Sequence, residues 1–128
     1  MVPQDLRFAE THEWAKIEGE ECTIGITAFA VEQLTDVVFV DLKPKVGDSV
    51  KVGGSIGEIE SVKAVSDIYA PVDGIVTAVN KDLAVDPSLV SAEPYGKGWL
   101  LKVKVAAGAG SNLKSPDEYD RQIATQGH

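Results

Sequence analysis

The chain has 128 residues, of which 44% are hydrophobic and 25% are charged, and this composition suits one compact domain with a buried core. Its 12 basic and 20 acidic residues give a net charge of −8, which argues against nucleic acid or an anionic membrane as the main partner. The acidic balance fits a soluble protein that meets basic patches on other proteins, although solubility alone would also explain it.

Short strands dominate the predicted elements. Residues 12–19 and 23–27 predict a first hairpin. Further strand-like runs follow at 37–42, 55–61, 65–70, 74–80 and 98–105. Because these runs are short, and Gly, Pro and Asp break them at close intervals, they predict an all-β sandwich or barrel. We expect Trp14 and Trp99, which lie in two of these runs, to be substantially buried.

Two helices interrupt the strands. Thr27 is a candidate N-cap for a helix over residues 28–34. Ser115 and Glu118 flank a proline at the first helical position and form the capping-box pattern, which predicts a helix at about 116–124. Tyr119 and Ile123 share a face of this second helix, and that face would pack on the barrel.

The chain is expected to form a single domain over residues 1–128, with a core at about 6–105 and a frayed tail at 125–128. The N-terminus lacks the apolar core of a signal peptide, and no run approaches the roughly 20 apolar residues that cross a bilayer. The lone cysteine, Cys22, cannot form an internal disulfide, and its strand-like run predicts a small buried hydrophobe. We therefore expect a cytoplasmic protein.

No catalytic or metal-binding pattern stands out. His12 and His128 are the only histidines in the sequence, and no Cys/His spacing matches a zinc site. The run 52–57 has three glycines but lacks the Lys-Ser/Thr ending of a phosphate loop. Acidic residues are numerous but scattered, so no pair can be named as acid and base. We therefore expect no catalytic residues, no metal site and no enzyme activity.

The hairpin predicted over residues 60–71 has an unusual tip, Val62-Lys63-Ala64. Tight hairpins usually place Asn-Gly, Asp-Gly or Gly-Gly there, because these residues accept positive φ at low cost. A solvated lysine on a turn is the plain interpretation. Since departures from local sequence rules tend to mark functional positions, the alternative is a rigid hairpin that presents one amine to a modifying enzyme. A deprotonated lysine amine can form an amide with an activated carboxylate.

The stretch ESVKAVSDIYAP, residues 60–71, resembles the lipoyl-attachment hairpin of the glycine cleavage system H-protein family. Six further stretches resemble signatures of the same family in the same order: THEW (11–14), IGIT (24–27), LTDVVFVDL (34–42), VGDSV (46–50), APVDG (70–74) and PYGKGWLLKVK (94–104). The resemblance extends from about Leu6 to Tyr119. One departure is the KPK run at 43–45, where the family is usually one residue shorter, and it affects only a surface turn.

The resemblance implies a mainly β, barrel-sandwich hybrid fold of the lipoyl-domain type, with one short internal helix and a C-terminal helix. It also implies lipoic acid in amide linkage to Lys63 and a carrier role. The expected partners are a pyridoxal-phosphate-dependent glycine decarboxylase, a tetrahydrofolate-dependent aminomethyltransferase, dihydrolipoamide dehydrogenase, and a lipoate ligase or lipoyl/octanoyl transferase. The carrier would pass the aminomethyl group of glycine from the decarboxylase to the aminomethyltransferase, and the dehydrogenase would reoxidise the dihydrolipoyl arm. We expect a monomer with no nucleic acid or membrane partner.

Glu13 and Asp67 are candidates for sheltering the loaded arm. The aminomethyl amine is expected to be cationic and to benefit from exclusion of water, and a desolvated cation needs a carboxylate or carbonyl partner. Glu13 lies in THEW, and Asp67 lies on the second arm of the lysine hairpin, on the same strand face as Val65 and Tyr69. The plain alternative is that both are solvated strand acids.

Three other functions stay open. A biotin carrier has a similar architecture, but its lysine usually stands between two methionines, and the only methionine here is Met1. An H-like lipoate relay, which donates lipoyl groups to other carrier domains, needs the same modified lysine, so genomic neighbourhood or activity with purified glycine decarboxylase must separate the two. A plain interaction module would leave Lys63 unmodified, and intact mass of the protein from its native host would identify it.

Overall fold

The computed structural model describes residues 2–34 and 36–126, and nine strands lie in these ranges. They are β1 (Arg7–Phe8), β2 (Glu13–Glu18), β3 (Glu21–Ile26), β4 (Val37–Leu42), β5 (Ser49–Val50), β6 (Ser55–Ser61), β7 (Val65–Tyr69), β8 (Gly74–Val79) and β9 (Leu101–Lys104). One sheet has six strands in the order β1-β2-β3-β9-β8-β5, and the other has three in the order β4-β6-β7. All named strand pairs are antiparallel, and the predicted mainly β architecture is confirmed.

The described residues also form helices, namely α1 (Ala28–Leu34), α2 (Asp82–Val85), α3 (Leu89–Ala92) and α4 (Pro116–Gln126). α1 and α4 begin where the capping patterns predict. Thr27 Oγ1 accepts a hydrogen bond from the Ala30 N–H at 3.3 Å, and Ser115 and Glu118 exchange side-chain-to-backbone bonds of 3.0 and 3.2 Å. The sequence pattern predicts neither α2 nor α3, because each is a single turn without a side-chain cap.

The observed elements differ from the predicted ones in a few bounds. β9 begins at Leu101 rather than at residue 98, because the chain before it turns and the Trp99 N–H donates to Gly96 O at 3.2 Å. The two-residue strands β1 and β5 are too short to show an alternating pattern, so only their pairing defines them. α4 includes residues 125–126, which were expected to fray, and 127–128 lie outside the described residues.

Two hydrophobic clusters form the interior. The larger lies between the inner faces of the two sheets and includes Ile24 and Ile59. Cys22 is fully buried in it, so the prediction of a small buried hydrophobe is confirmed. The smaller cluster lies under α4, where the Phe8 and Tyr119 rings stack with centroids 4.6 Å apart and planes 9° apart. The C-terminal helix is therefore packed on the first strands of the six-stranded sheet.

The two tryptophans differ in burial: the expectation of substantial burial is confirmed for Trp14, and Trp99 is partly buried and packs against the smaller cluster. Trp14 is 2% exposed, and its Nε1 donates to two backbone carbonyl oxygens at 2.9 and 3.1 Å. The indole covers Gly25, where any Cβ atom would overlap the ring. Trp99 is only partly buried because it lies in the turn before β9, and Lys102 Nζ lies 5.3 Å from the centroid of its ring.

Replacing Trp14 with Ala should lower the free energy of unfolding by about 3–5 kcal/mol, as is usual for a large aromatic side chain in a core. Trp99→Ala should cost less than half as much, because part of its indole already contacts solvent. Urea denaturation of both variants measures the two losses. Equal losses would contradict the difference in packing described above.

Candidate functional site

The lysine hairpin is formed by β6 and β7, in which Glu60 pairs with Val65. The Ser61 N–H donates to Ala64 O at 2.8 Å, and Ser61 Oγ lies 3.1 Å from both the N and the O of Ala64. A serine hydroxyl can close a turn in this way because it both donates and accepts hydrogen bonds. Side-chain hydrogen bonds thus hold the turn without glycine, and the tip is free to carry Lys63.

The tip is also fixed from the side. The Val62 N–H donates to Asp36 O at 3.1 Å, which ties the tip to the segment before β4. Val62, Lys63 and Ala64 are all exposed. Within the described residues, no hydrogen bond or ion pair holds Lys63 Nζ. A fixed backbone therefore presents one exposed amine with small neighbours on both sides.

The outer face of the three-stranded sheet combines apolar and acidic side chains behind the tip. Phe39 and Val65, which are 49% and 58% exposed, lie near the tip. The next row across β4, β6 and β7 consists of three acids, which we call the outer acidic row: Asp41, Glu58 and Asp67. Like charges at this cross-strand spacing repel one another. Lys43 Nζ lies 3.7 Å from Glu58 Oε1 and offsets this repulsion in part. The face nevertheless keeps a net negative charge, which suits a basic partner.

Glu13 is buried, with 1% of its surface exposed, so it is not a solvated strand acid. Its Oε2 accepts a hydrogen bond from the Tyr69 N–H at 3.2 Å, and its Oε1 accepts one from the Thr11 hydroxyl. Burial raises the pKa of Glu13 to about 7, and these hydrogen bonds offset that effect only in part. Because Glu13 begins β2 and Tyr69 ends β7, the carboxyl group joins the two sheets.

Asp67 is exposed on the outer side of β7. The Tyr69 hydroxyl donates to Asp67 Oδ2 at 3.4 Å, and the charge of Asp67 is the main cause that raises the pKa of Tyr69. Tyr69 thus connects the two candidate acids, with its N–H bound to Glu13 and its hydroxyl to Asp67. Glu13 lies far from Lys63, because the four residue steps from Val65 to Tyr69 span about 13 Å, whereas Asp67 is only two steps, about 7 Å, beyond Val65.

A cleft of about 490 Å³ opens beside Tyr69. Its lining is mostly apolar and includes Val52 and Leu113 together with Thr11 and Tyr69. The last two also hydrogen-bond to the Glu13 carboxyl group. Glu13 therefore lies directly behind one wall of the cleft, although it does not line the cleft itself.

The sequence predicts Lys63, Glu13 and Asp67 as site residues. It does not predict Ser61, which closes the turn that carries Lys63, or Tyr69, which binds both acids. Ser61 carries a local signal, since a serine before a tight turn often bonds to the backbone two or three residues later. Tyr69 carries no such signal, because its role depends on β2 of the other sheet lying against the edge of β7.

No helix in the described residues is long and apolar enough to span a membrane. The same residues contain no group of three or more His, Cys, Asp or Glu side chains that could hold a metal ion.

Known proteins are similar to this chain in both sequence and fold. A family model described as glycine cleavage H-protein matches residues 6–126. A glycine cleavage system H protein from Rubrobacter xylanophilus is 54% identical over 122 residues, which cover 95% of this chain and 94% of that protein. One from Carboxydothermus hydrogenoformans is 46% identical over 128 residues, covering 99% and 98%. The crystal structure of the H protein from Mycobacterium marinum aligns with a TM-score of 0.86 at 38% identity, covering 99% of this chain and 100% of that one, and confirms the barrel-sandwich fold.

The free energy of unfolding should fall as pH rises, because the buried Glu13 carboxyl group loses its proton. Its pKa in the folded protein, about 7, lies above the usual 4.5, so the proton it binds stabilises the fold fully below pH 4.5, and this stabilisation is lost as pH rises through 7. Between pH 4.5 and 8, wild type should lose roughly 2–3 kcal/mol relative to Glu13→Gln, which cannot titrate. Urea unfolding of both proteins across this range measures the difference.

Asp67→Asn is the matched control, because it neutralises an exposed acid two residues before Tyr69 on the same strand. Because this variant keeps Glu13, its stability should still fall between pH 4.5 and 8. Parallel profiles for wild type and Glu13→Gln would contradict the tight proton binding inferred from burial.

Proposed function

The chain belongs to the glycine cleavage H-protein family and is a lipoyl carrier of the glycine cleavage system, and we propose that lipoic acid is attached to it in amide linkage at Lys63. The observation that carries this assignment is the Lys63 amine itself, exposed and unpaired within the described residues, at the apex of a turn locked by Ser61. Such an amine fits the group, because amide formation needs a free lysine nitrogen and space for an enzyme to approach.

The partners follow from this role. We propose that a pyridoxal-phosphate-dependent glycine decarboxylase loads the aminomethyl group and that a tetrahydrofolate-dependent aminomethyltransferase removes its carbon. Dihydrolipoamide dehydrogenase then restores the disulfide, and a lipoate ligase or lipoyl/octanoyl transferase attaches the arm. When attached, the lipoyl group supplies a disulfide that accepts the aminomethyl group and a dithiol that can be reoxidised.

The chain itself supplies position. Ser61 and the Val62–Asp36 hydrogen bond fix the base of the arm, so its reach is set by the arm rather than by motion of the hairpin. A short flexible tether keeps its end at an effective concentration on the order of mM near a docked enzyme. The exposed Phe39 and Val65, with the outer acidic row behind them, offer the docked enzyme an apolar contact and an acidic one. The protein therefore acts as a carrier without catalytic residues of its own.

Glu13 and Asp67 shelter the loaded amine in this proposal. A carboxylate has about four acceptor positions, and the hydrogen bonds from Thr11 and Tyr69 occupy two on Glu13. A nearby cation favours the ionised carboxylate. An approaching ammonium group would therefore lower the pKa of Glu13, and the carboxyl group would be ionised at neutral pH. Asp67 lies on the way along β7 from Lys63 to that corner.

Replacing Lys63 with Arg should abolish lipoylation and leave the fold unchanged, because the guanidinium group stays protonated and forms no amide. Incubation with ligase, lipoate and ATP, followed by intact-mass measurement, tests this. Lys51→Arg is the control, since it changes another exposed lysine, and it should gain the full lipoyl mass. A lipoyl mass on the Lys63→Arg protein would rule out the assignment.

Glu13→Gln and Asp67→Asn should leave lipoylation intact but speed loss of the loaded aminomethyl group several-fold in the absence of the aminomethyltransferase. Both changes remove a negative charge near the parked amine while keeping the size of the side chain. Release of formaldehyde and ammonia from the loaded protein measures the rate. If both variants release them no faster than wild type, neither acid shelters the arm.

A further inference from the structure

A buried hydrogen-bonded cluster lies under the C-terminal helix, away from Lys63, and takes no part in the carrier role described so far. The Tyr119 hydroxyl lies 2.7 Å from His12 Nδ1 and 2.7 Å from Thr27 Oγ1. Tyr119 is completely buried, and its ring is stacked on Phe8. The helix that carries it therefore delivers one hydroxyl group to the point where β2 begins and β3 ends.

The directions of these hydrogen bonds are consistent with a neutral His12. Burial and the positive charge of Lys114 lower the pKa of His12, so its Nδ1 can accept a hydrogen bond at neutral pH. The Tyr119 hydroxyl then donates to His12 and accepts from the Thr27 hydroxyl, whose oxygen accepts the Ala30 N–H. The two hydroxyl groups and His12 Nδ1 thus have partners in a defined order of donors and acceptors.

His12 has an unusual backbone. Its φ of +80° makes it the one non-glycine residue with positive φ among the described residues. Such a conformation costs on the order of 1–3 kcal/mol and persists only where its surroundings enforce it. Here the His12 N–H donates to Ala9 O at 3.0 Å, and its carbonyl accepts the Thr27 N–H at 3.0 Å. The imidazole contacts Phe29 at 5.1 Å between ring centroids and binds the Tyr119 hydroxyl.

Glu13 is placed by its pairing with Ile26 of β3, and the left-handed turn at His12 returns the chain before it so that the Thr11 hydroxyl binds Glu13 Oε1. Where β2 begins, both faces are buried: Trp14 enters the cluster under α4, and Glu13 reaches the edge of β7 at Tyr69. A change in φ at His12 would move Thr11 away from Glu13, and the carboxyl group would lose the hydroxyl that holds its Oε1 while Oε2 binds the Tyr69 N–H.

We propose that Tyr119 is a positioning residue for the arm site: its hydroxyl holds His12 in the left-handed conformation and thereby keeps the Glu13 carboxyl group at the edge of β7. This role rests on the proposed function, because it matters for the carrier only if Glu13 shelters the loaded amine. The C-terminal helix is then part of the device that retains the aminomethyl group, although no residue of it approaches Lys63.

The test compares Tyr119→Phe with Tyr95→Phe in the full-length lipoylated protein. Each change removes one hydroxyl group and keeps the ring, but the hydroxyl of the half-buried Tyr95 accepts a hydrogen bond from the Ala28 N–H at 3.1 Å, whereas that of Tyr119 binds His12. Both variants should fold and accept the lipoyl group. Amide hydrogen exchange at Tyr69 reports the bond to Glu13, and Ile68 in the same strand is the internal reference.

Tyr119→Phe should speed amide exchange at Tyr69 at least fivefold, with Ile68 unchanged, and should speed loss of the loaded aminomethyl group several-fold. Tyr95→Phe should change neither rate. His12→Asn tests the same contact from the other side, because Asn tolerates positive φ but lacks the imidazole, and it should act in the same direction.

Equal effects of Tyr119→Phe and Tyr95→Phe, or unchanged exchange at Tyr69 in Tyr119→Phe, would overturn the positioning role. The positioning role would also be overturned if Tyr119→Phe speeds exchange at Tyr69 but not aminomethyl loss, while Glu13→Gln does speed aminomethyl loss. In that case the proposed function would still stand. If Glu13→Gln loses the group no faster than wild type, the sheltering role of Glu13 fails, and the positioning role fails with it.

Discussion

A carboxyl group buried between two sheets needs hydrogen-bond partners, because its burial without them is strongly unfavourable. Glu13 finds one of its partners in the Tyr69 N–H, which lies on the edge of β7 where no strand of the described residues pairs with it. This one hydrogen bond therefore gives a partner to the buried Glu13 carboxyl group and to the Tyr69 N–H at the edge of the sheet. It also joins the lysine hairpin to the larger sheet by a polar contact, in addition to the apolar packing of Ile59 and Ile68 between the sheets.

Hydrogen bonds hold the lysine hairpin just below its apex, and the side chains at the apex are exposed. Its stiffness comes from polar contacts of Ser61 and from the backbone bond between Val62 and Asp36, all of which lie below the apex. None of them uses the Lys63 side chain. The fold thus separates the groups that define the shape of the tip from the group that carries its chemistry, and the lysine can be modified without loss of any contact.

Much of this could be predicted from the sequence. β4, β6 and α1 have the predicted bounds, because β-branched runs and a threonine cap are local signals. Such local signals are missing from the two-residue strands β1 and β5 and from the single-turn helices α2 and α3. Tertiary contacts determine these four elements. The tip composition singles out Lys63, and the family resemblance explains it. The burial of Glu13 could not be foreseen, since β2 and β7 belong to different sheets and their contact is a property of the whole fold. The run at 98–105 begins with a turn, so Trp99 precedes β9 instead of lying in it.

Trp14 and Gly25 lie opposite each other on β2 and β3, and the indole occupies the space where a side chain at residue 25 would stand. Their evolution is consequently coupled and asymmetric. A lineage that first replaced the tryptophan could later accept alanine or serine at residue 25, whereas the reverse order passes through a protein whose indole is expelled from both of its carbonyl partners. Descendants of this chain are therefore expected to keep the pair together or to lose the aromatic member first.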